Sequence, residues 1–324
     1  MSGREPLLHT DVTDGMLDPE LDPSLVRLAR AVQDTGYAFV TPTPATHARV
    51  NARQGAEWAQ DLRGVFGWSR PFRGGVVPAL ILEAMRDAGV LAPHADGHRS
   101  LIRFSSLDGL LFAHSAYPTT EADAIFFGPD TYRFARAIRA HRQTRVRRAV
   151  DIGCGAGPGA ILLARTYPGA EILGVDINGA ALRMTRANAA VAGAAVRAVH
   201  SDLLAGVEGT FDLIVANPPY LVDPAERTYR HGGGPLGAGL SLAILDAAIG
   251  RLAPGGTLLL YTGTAIVDGQ DPFHAESQTR LAGSGLAWTY DEVDPDVFGE
   301  ELEHGVYAAA DRIAAVLLTV TKTQ

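Results

Sequence analysis

The sequence predicts a Rossmann-like α/β protein with a mostly parallel sheet, preceded by a smaller α+β part. Three observations carry this. From residue 148 onward, strand-like apolar runs alternate with helical segments, the pattern of a parallel sheet covered on both faces. The first of those runs ends in a glycine-rich turn, Asp151-Ile152-Gly153-Cys154-Gly155-Ala156-Gly157. The charge also divides: residues 1–148 hold 18 arginines against 16 acidic residues, and 149–324 hold 10 basic against 20 acidic. A chain of 324 residues is long enough for two domains. The change of pattern near 120 divides it into 1–120 and 121–324.

In the first part, Asp22-Pro23-Ser24 starts a helix through Leu25, Leu28 and Val32 that stops near Gly36. A second helix is expected from Ala45 to Leu62, and a third from Val77 to Ala88, stopped by Gly89. Leu101–Phe104 and Leu110–Ala113 read as strands, and Asp108-Gly109 between them is a hairpin signal. Helices followed by a hairpin suggest a winged-helix-like module. In the second part, strands are expected at 148–153, 171–176, 196–200, 211–217 and 256–263, and helices at 157–167, 179–192 and 239–252. Runs at 286–290 and 314–320 close the sheet as an antiparallel pair. Residues 229–239, with five glycines, are expected to form a flexible loop.

A content of 47% hydrophobic and 20% charged residues fits a protein with a packed core. The net charge of −8 gives no global attraction to nucleic acid or an anionic membrane, though a local basic patch is compatible with it. One cysteine excludes an internal disulfide, and the ten histidines form no metal-binding pattern, so no metal is assigned. Met1-Ser2-Gly3-Arg4-Glu5-Pro6 has no apolar leader, and no apolar run reaches about 18 residues. A cytoplasmic protein with no membrane partner is expected.

The glycine-rich turn has the makings of a cofactor pocket. Gly153, Gly155 and Gly157 let the backbone turn tightly and approach a ligand, with the next helix aiming its N-terminus there. Asp176, at the end of the following expected strand, can accept both hydroxyls of a ribose; Ile177 adjoins it, and Asn178 is placed to cap a helix. Asp202 can accept from an adenine amino group while Leu203 packs on the ring. Gly155-Ala156-Gly157-Pro158-Gly159-Ala160 also matches the G-x-G-x-x-A of nicotinamide dehydrogenases. Two features favour S-adenosylmethionine instead: Asp151 can hold a cationic methionine amine, and the next motif has no dehydrogenase role.

That motif is Asn217-Pro218-Pro219-Tyr220, after the apolar run 211–216. At the carboxyl end of a strand it would sit at the ligand crevice of an open sheet. The Asn217 side-chain oxygen and the Pro218 carbonyl can each accept one hydrogen of a target NH2, aiming the nitrogen lone pair at a methyl group. Consecutive prolines fix the turn and bring no competing N–H. Tyr220 can stack on a planar substrate, and Asn217 belongs to the cofactor-binding set as well. Catalysis is then mainly positioning.

These segments, with Val175–Asn178, Ser201-Asp202 and Leu252–Gly256, resemble class I S-adenosylmethionine-dependent methyltransferases of the small-methyltransferase group. That group includes release-factor glutamine methyltransferases and enzymes methylating adenine N6 or guanine N2. Phe127–Thr131 is similar to the Pro-acidic-Thr segment these enzymes carry before the glycine-rich turn. The resemblance implies a seven-stranded sheet with the last strand antiparallel, S-adenosylmethionine as cofactor, and methyl transfer to a planar nitrogen. Leu203 departs from the release-factor enzymes, which often carry an aromatic there. Residues 1–120 match them poorly and lie closer to a two-domain bacterial group of unassigned substrate.

The expected acceptor is an RNA base in ribosomal or transfer RNA. The basic bias of the first part and the arginines 133, 136, 139, 142, 145, 147 and 148 support it, although these also suit a solvated helix face. A glutamine side chain of a release factor or ribosomal protein, and a small-molecule amine, are the alternatives, as is a binding module that only senses cofactor. Cys154 reads as a small packed side chain, and Asp294–Glu301 as a substrate-side element.

Overall fold

The computed structural model describes residues 20–303 and 305–323; the Met1–Pro6 segment lies outside them. The first helix, α1 (Pro23–Asp34), starts where expected: the Asp22 carboxylate accepts from the N–H groups of Ser24 and Leu25 at 2.9 and 3.0 Å. The second, α2 (Pro44–Asn51), ends eleven residues before Leu62. Asn51 accepts from Arg70 Nε and donates to the Trp68 carbonyl, both at 2.8 Å, and Gly55 takes a left-handed φ of 80°. A π-helical turn, Arg63–Gly67, precedes α3 (Ala79–Asp87).

A hairpin of β1 (Leu91–His94) and β2 (Gly97–Ser100) follows that the sequence did not announce, because its strands are short, polar and interrupted by Pro93. The expected hairpin is present as β3 (Ile102–Leu107) and β4 (Leu110–Ser115), turned by Asp108 and Gly109 at φ 53° and 75°. It is an inner layer rather than an exposed wing: Ile102–Ser105 and Leu111–His114 are all buried.

The second part opens with α4 (Pro129–Ala140), then runs β5 (Arg148–Ile152), α5 (Pro158–Thr166), β6 (Glu171–Asp176), α6 (Gly179–Ala192), β7 (Arg197–His200) and β8 (Phe211–Ala216). It continues through α7 (Gly239–Ile249), β9 (Leu252–Ile266), α8 (Pro272–Leu281), β10 (Ala287–Asp294) and β11 (Arg312–Thr321). The arginine-rich sequence of α4 hides an inner face of Phe134, Ala135 and Ile138, and α8 buries only Phe273, Ser277 and Leu281. The sequence offered α4 only as the solvated helix face its arginines suit, and α8 not at all.

One seven-stranded sheet runs in the order β10-β11-β9-β8-β5-β6-β7. Only β11, the last strand in the chain, is antiparallel to its neighbours. From β5 the chain moves outward through β6 and β7, then returns to the other side of β5 as β8. The crossover helices therefore diverge at the carboxyl ends of β5 and β8, and a crevice opens there. The register places Ile152 beside Ala216, so the turns after both strands face one space.

One apolar core crosses residue 120: Leu25, Leu28, Phe104 and Phe112 pack in a single cluster with Ile161, Met184 and Ala187. Asn188 of α6 fixes that junction. Its Oδ1 accepts from the Ala113 N–H at 2.8 Å; its Nδ2 donates to the carbonyls of Ala113 and Ala156 at 2.9 and 2.8 Å. Asn188→Ala leaves three buried backbone groups without partners and should cost about 2–4 kcal/mol in urea unfolding. A loss under about 0.5 kcal/mol would mean that the junction does not depend on this amide.

Candidate active site

The crevice is a cavity of about 240 Å³. At one end lies the glycine-rich turn. Gly153, Gly155 and Gly157 all have left-handed backbones, with φ of 68°, 55° and 83°. Gly153 and Gly155 line the cavity; Gly157 does not, and instead closes the turn against Thr185. Cys154 is buried, its thiol 3.5 Å from the Thr185 hydroxyl and pushed up in pKa by burial, so it is the packed side chain expected.

Asp151, one residue before the end of β5, is 2% exposed and accepts from the Ala160 N–H at 2.9 Å. Burial pushes its carboxyl up to about 7, with the charge of Asp176 adding to the shift and the Ala160 N–H opposing it. The α5 backbone closes on this carboxylate, because Gly159 has no side chain: a Cβ there would stand 2.6 Å from Asp151 Oδ2. Asp176, at the end of β6, accepts from the N–H groups of Gly155 and Asn178, both at 2.9 Å, and its carboxyl is raised by burial. Asn178 caps α6 through the Ala180 N–H and donates to the Asp123 carbonyl. Ile177, 53% exposed, offers an apolar face to the cavity. Asp202 and Leu203 line the same end; the Asp202 carboxylate has no hydrogen-bond partner among the described residues, and Leu203 is half-buried with a φ of 48°.

Asn217, Pro218, Pro219 and Tyr220 follow β8 and line the middle of the cavity. The Asn217 amide makes no hydrogen bond among the described residues, so its oxygen is available to a ligand. Tyr220 is turned inward, 6% exposed, and its hydroxyl donates to Asp130 Oδ2 at 2.9 Å. Its ring lies against Gly263, where a Cβ would be 2.2 Å away, and meets Phe298 edge-on at 5.8 Å.

Asp130 was legible only as the acidic member of the Pro-acidic-Thr segment. It is buried, and takes hydrogen bonds from Tyr220, from Tyr261 at 2.7 Å and from Arg133 at 3.2 Å. Arg133 reaches Asp294 at the end of β10 with its other arm, at 2.6 Å. Burial raises the Asp130 carboxyl and keeps both tyrosines protonated. Tyr261 had no signal at all, standing in an otherwise apolar stretch of β9.

The outer end is walled by Pro44, Thr119, Ile125, Phe126, Tyr229 and Phe298, with Arg230 among them. Residues 221–231 are tied to the chain segment joining the two parts: the Tyr229 hydroxyl donates to the Thr119 carbonyl at 2.6 Å, and Thr228 to that of Ala122 at 2.9 Å. Arg227 grips Asp223 through Nε and Nη2, both at 2.7 Å, holding that carboxyl well below its usual range. Arg230 pairs with Glu301, so Asp294–Glu301 does adjoin this end. The glycine run 232–239 is packed rather than loose: Gly232 and Gly237 lie against each other and against the Tyr220 backbone so closely that neither has room for a Cβ. Of the arginine cluster, Arg133, Arg139 and Arg148 are committed to Asp130 and Asp294, Asp108, and Glu171; Arg136, Arg142, Arg145 and Arg147 are exposed.

Residues 134–265 match the family model described as "Methyltransferase small domain". The chain is 34% identical over 194 residues to a release factor glutamine methyltransferase of Deinococcus radiodurans, covering 56% of this chain and 66% of that one. It is 36% identical over 153 residues to the 4-amino-L-phenylalanine/4-methylamino-L-phenylalanine methyltransferase of Streptomyces pristinaespiralis, covering 42% and 52%. It is 38% identical over 135 residues to a tRNA1(Val) (adenine(37)-N6)-methyltransferase of Aeromonas hydrophila, covering 39% and 55%. The chain thus spans between half and two thirds of the length of these relatives.

The contact between Gly159 and Asp151 can be tested without ligand. Gly159→Ala must displace α5 or the carboxylate and should cost about 1–3 kcal/mol in thermal or urea unfolding. Gly250→Ala, where nothing lies within 4 Å of the added carbon, should stay within about 0.5 kcal/mol. Equal effects would mean that the Gly159 contact is not restrictive.

Proposed function

We propose, on the premise that this chain belongs to the small-domain family of class I S-adenosylmethionine-dependent methyltransferases, that it methylates a planar amide nitrogen, such as that of a glutamine side chain. The observation that carries this is the unengaged Asn217 amide, in one cavity with Asp151, Asp176 and Asp202. The residues fit the cofactor: Asp151 suits its ammonium group, Asp176 its ribose, Asp202 and Ile177 its adenine, and the glycine turn leaves room for its backbone-side approach. When bound, S-adenosylmethionine supplies an electrophilic methyl on a cationic sulfur.

Asn217 and the Pro218 carbonyl take the two hydrogens of the target NH2. This holds the nitrogen with its lone pair directed at the methyl carbon. Once methylated, that nitrogen would be acidic and would give its proton to water. No general base is required.

The acceptor end favours an amide over a nucleobase. Arg227 and Arg230 are neutralised by Asp223 and Glu301, and the remaining walls are mostly apolar or neutral. Arg230 is the one arginine among the described residues that line the cavity, and it is paired with Glu301. Radioactive S-adenosylmethionine, added with purified protein to methyl-poor extract, tests this: the label should be lost to protease and survive RNase. Loss to RNase alone would replace the amide by an RNA base.

Asn217→Ala should lower turnover by at least about 100-fold while cofactor affinity changes less than about threefold. If activity survives, Asn217 does not hold the acceptor.

The Asp151 carboxyl is neutral below about 7 in the free protein. A bound ammonium favours the carboxylate, so binding releases a proton below that pH. Affinity should therefore climb about tenfold between pH 5.5 and 7.5 in calorimetric titration, and Asp151→Asn should bind weakly with a flat profile. A flat wild-type profile would place the ammonium elsewhere.

A further inference from the structure

Arg103 of β3 is 5% exposed, and its Nε and Nη2 are buried without any hydrogen-bond partner. No carboxylate pairs with it among the described residues. These two N–H groups point outward in the guanidinium plane along one edge and form the fork that grips two oxygens at once. Three more accessible arginines show the fork loaded: Arg73 holds Asp96, Arg183 holds Asp22, and Arg227 holds Asp223, each through Nε and Nη2. A buried guanidinium with an empty fork is electrostatically unfinished.

Its surroundings are positive and aromatic. Arg103 lies over the Phe39 ring at 5.7 Å; Phe39 meets Trp68 edge-on, and Trp68 meets His47. His47 is 1% exposed, and its Nε2 is also without a partner. Asn51 Nδ2 faces His47 Nδ1 at 3.3 Å, which makes Nδ1 the acceptor and leaves the proton on Nε2. The carbonyls of Gly67 and Trp68 lie near that ring but outside hydrogen-bonding geometry with Nε2. Tyr37, Tyr117 and Tyr132 stand within the field of Arg103, and His114 is its cross-strand partner. Asp61, the acidic group nearest in effect, acts on Tyr37 and is occupied by the Gly64 N–H at 2.7 Å.

We propose that Arg103 is a receptor for one carboxylate, gripped through Nε and Nη2 between the Phe39–Trp68 wall and His47. A single guanidinium with an apolar aromatic wall suits a monoanion. Pro44, Thr119 and Thr131 line the cavity described above and stand three, two and one residues along the chain from His47, Tyr117 and Tyr132. The proposal does not depend on methyl transfer, and its test reads no activity.

Thermal unfolding of the full chain at pH 7 is compared in sodium acetate, sodium phosphate and sodium chloride of equal ionic strength. Acetate should raise Tm saturably by roughly 3 °C over chloride. Arg103→Met should be as stable as the wild type in chloride and show no response to acetate. Should that variant not fold, Arg103→Lys keeps the charge without the fork and should need at least tenfold more acetate. Arg136→Ala, an exposed arginine, should respond like the wild type. No saturable response in the wild type, an undiminished response in both Arg103 variants, or a response to phosphate without one to acetate would each overturn the assignment.

Discussion

The buried carboxylate of Asp130 is the constraint on which the transfer site rests. A lone carboxylate in such a place is costly, so it is stable only with its partners in position. Those partners come from three separated stretches of chain: Tyr220 after β8, Tyr261 within β9, and Arg133 one turn along α4. Arg133 extends the link to β10 through Asp294. The carboxylate also sits in the first turn of α4, where the helix dipole favours negative charge. The Asn217 turn is thus held at its far end by a group that cannot relax without exposing a charge to an apolar interior.

This explains why the Asn-Pro-Pro-Tyr turn can offer a free amide. A side chain that hydrogen-bonds its own protein is rigid but occupied; one that hangs free is available but mobile. Here the rigidity comes from neighbours. Two prolines limit the backbone, Tyr220 anchors it, and the packed glycines of 232–239 brace it from beneath. Asn217 inherits the order without spending its own donors and acceptors, the form of preorganisation that a positioning mechanism requires.

How far the sequence revealed this follows from the range of each interaction. The α/β alternation, the glycine turn and the strand ends at Asp151, Asp176 and Ala216 depend on local periodicity and were legible within a few residues. Tyr261 was invisible, because its meaning lies in a partner 131 residues away and its own stretch reads as an apolar strand. Asn188 was invisible for the same reason: a polar residue inside an alanine-rich helix looks neutral until Ala113 is placed beside it. The α2 boundary was misjudged because Asn51 stops the helix through contacts with Trp68 and Arg70, not through a local stop signal. The glycines of 232–239 read as looseness, although absent side chains equally permit the closest backbone packing.

Residues 20–120 are not an independent arm hung on the sheet. Their core is continuous with α5 and α6, and the amide of Asn188 bonds the β4 backbone and the glycine-rich turn at once. The segment leaving β4 then crosses the cofactor end, where Asn178 holds the Asp123 carbonyl, and the acceptor end, where Tyr229 and Thr228 hold Thr119 and Ala122. A displacement of that segment would reach Asn178, which caps α6 beside Asp176, and the wall opposite Asn217 together. Both ends of the cavity thus share this one strip of backbone, so a ligand that orders either end reduces the freedom remaining at the other.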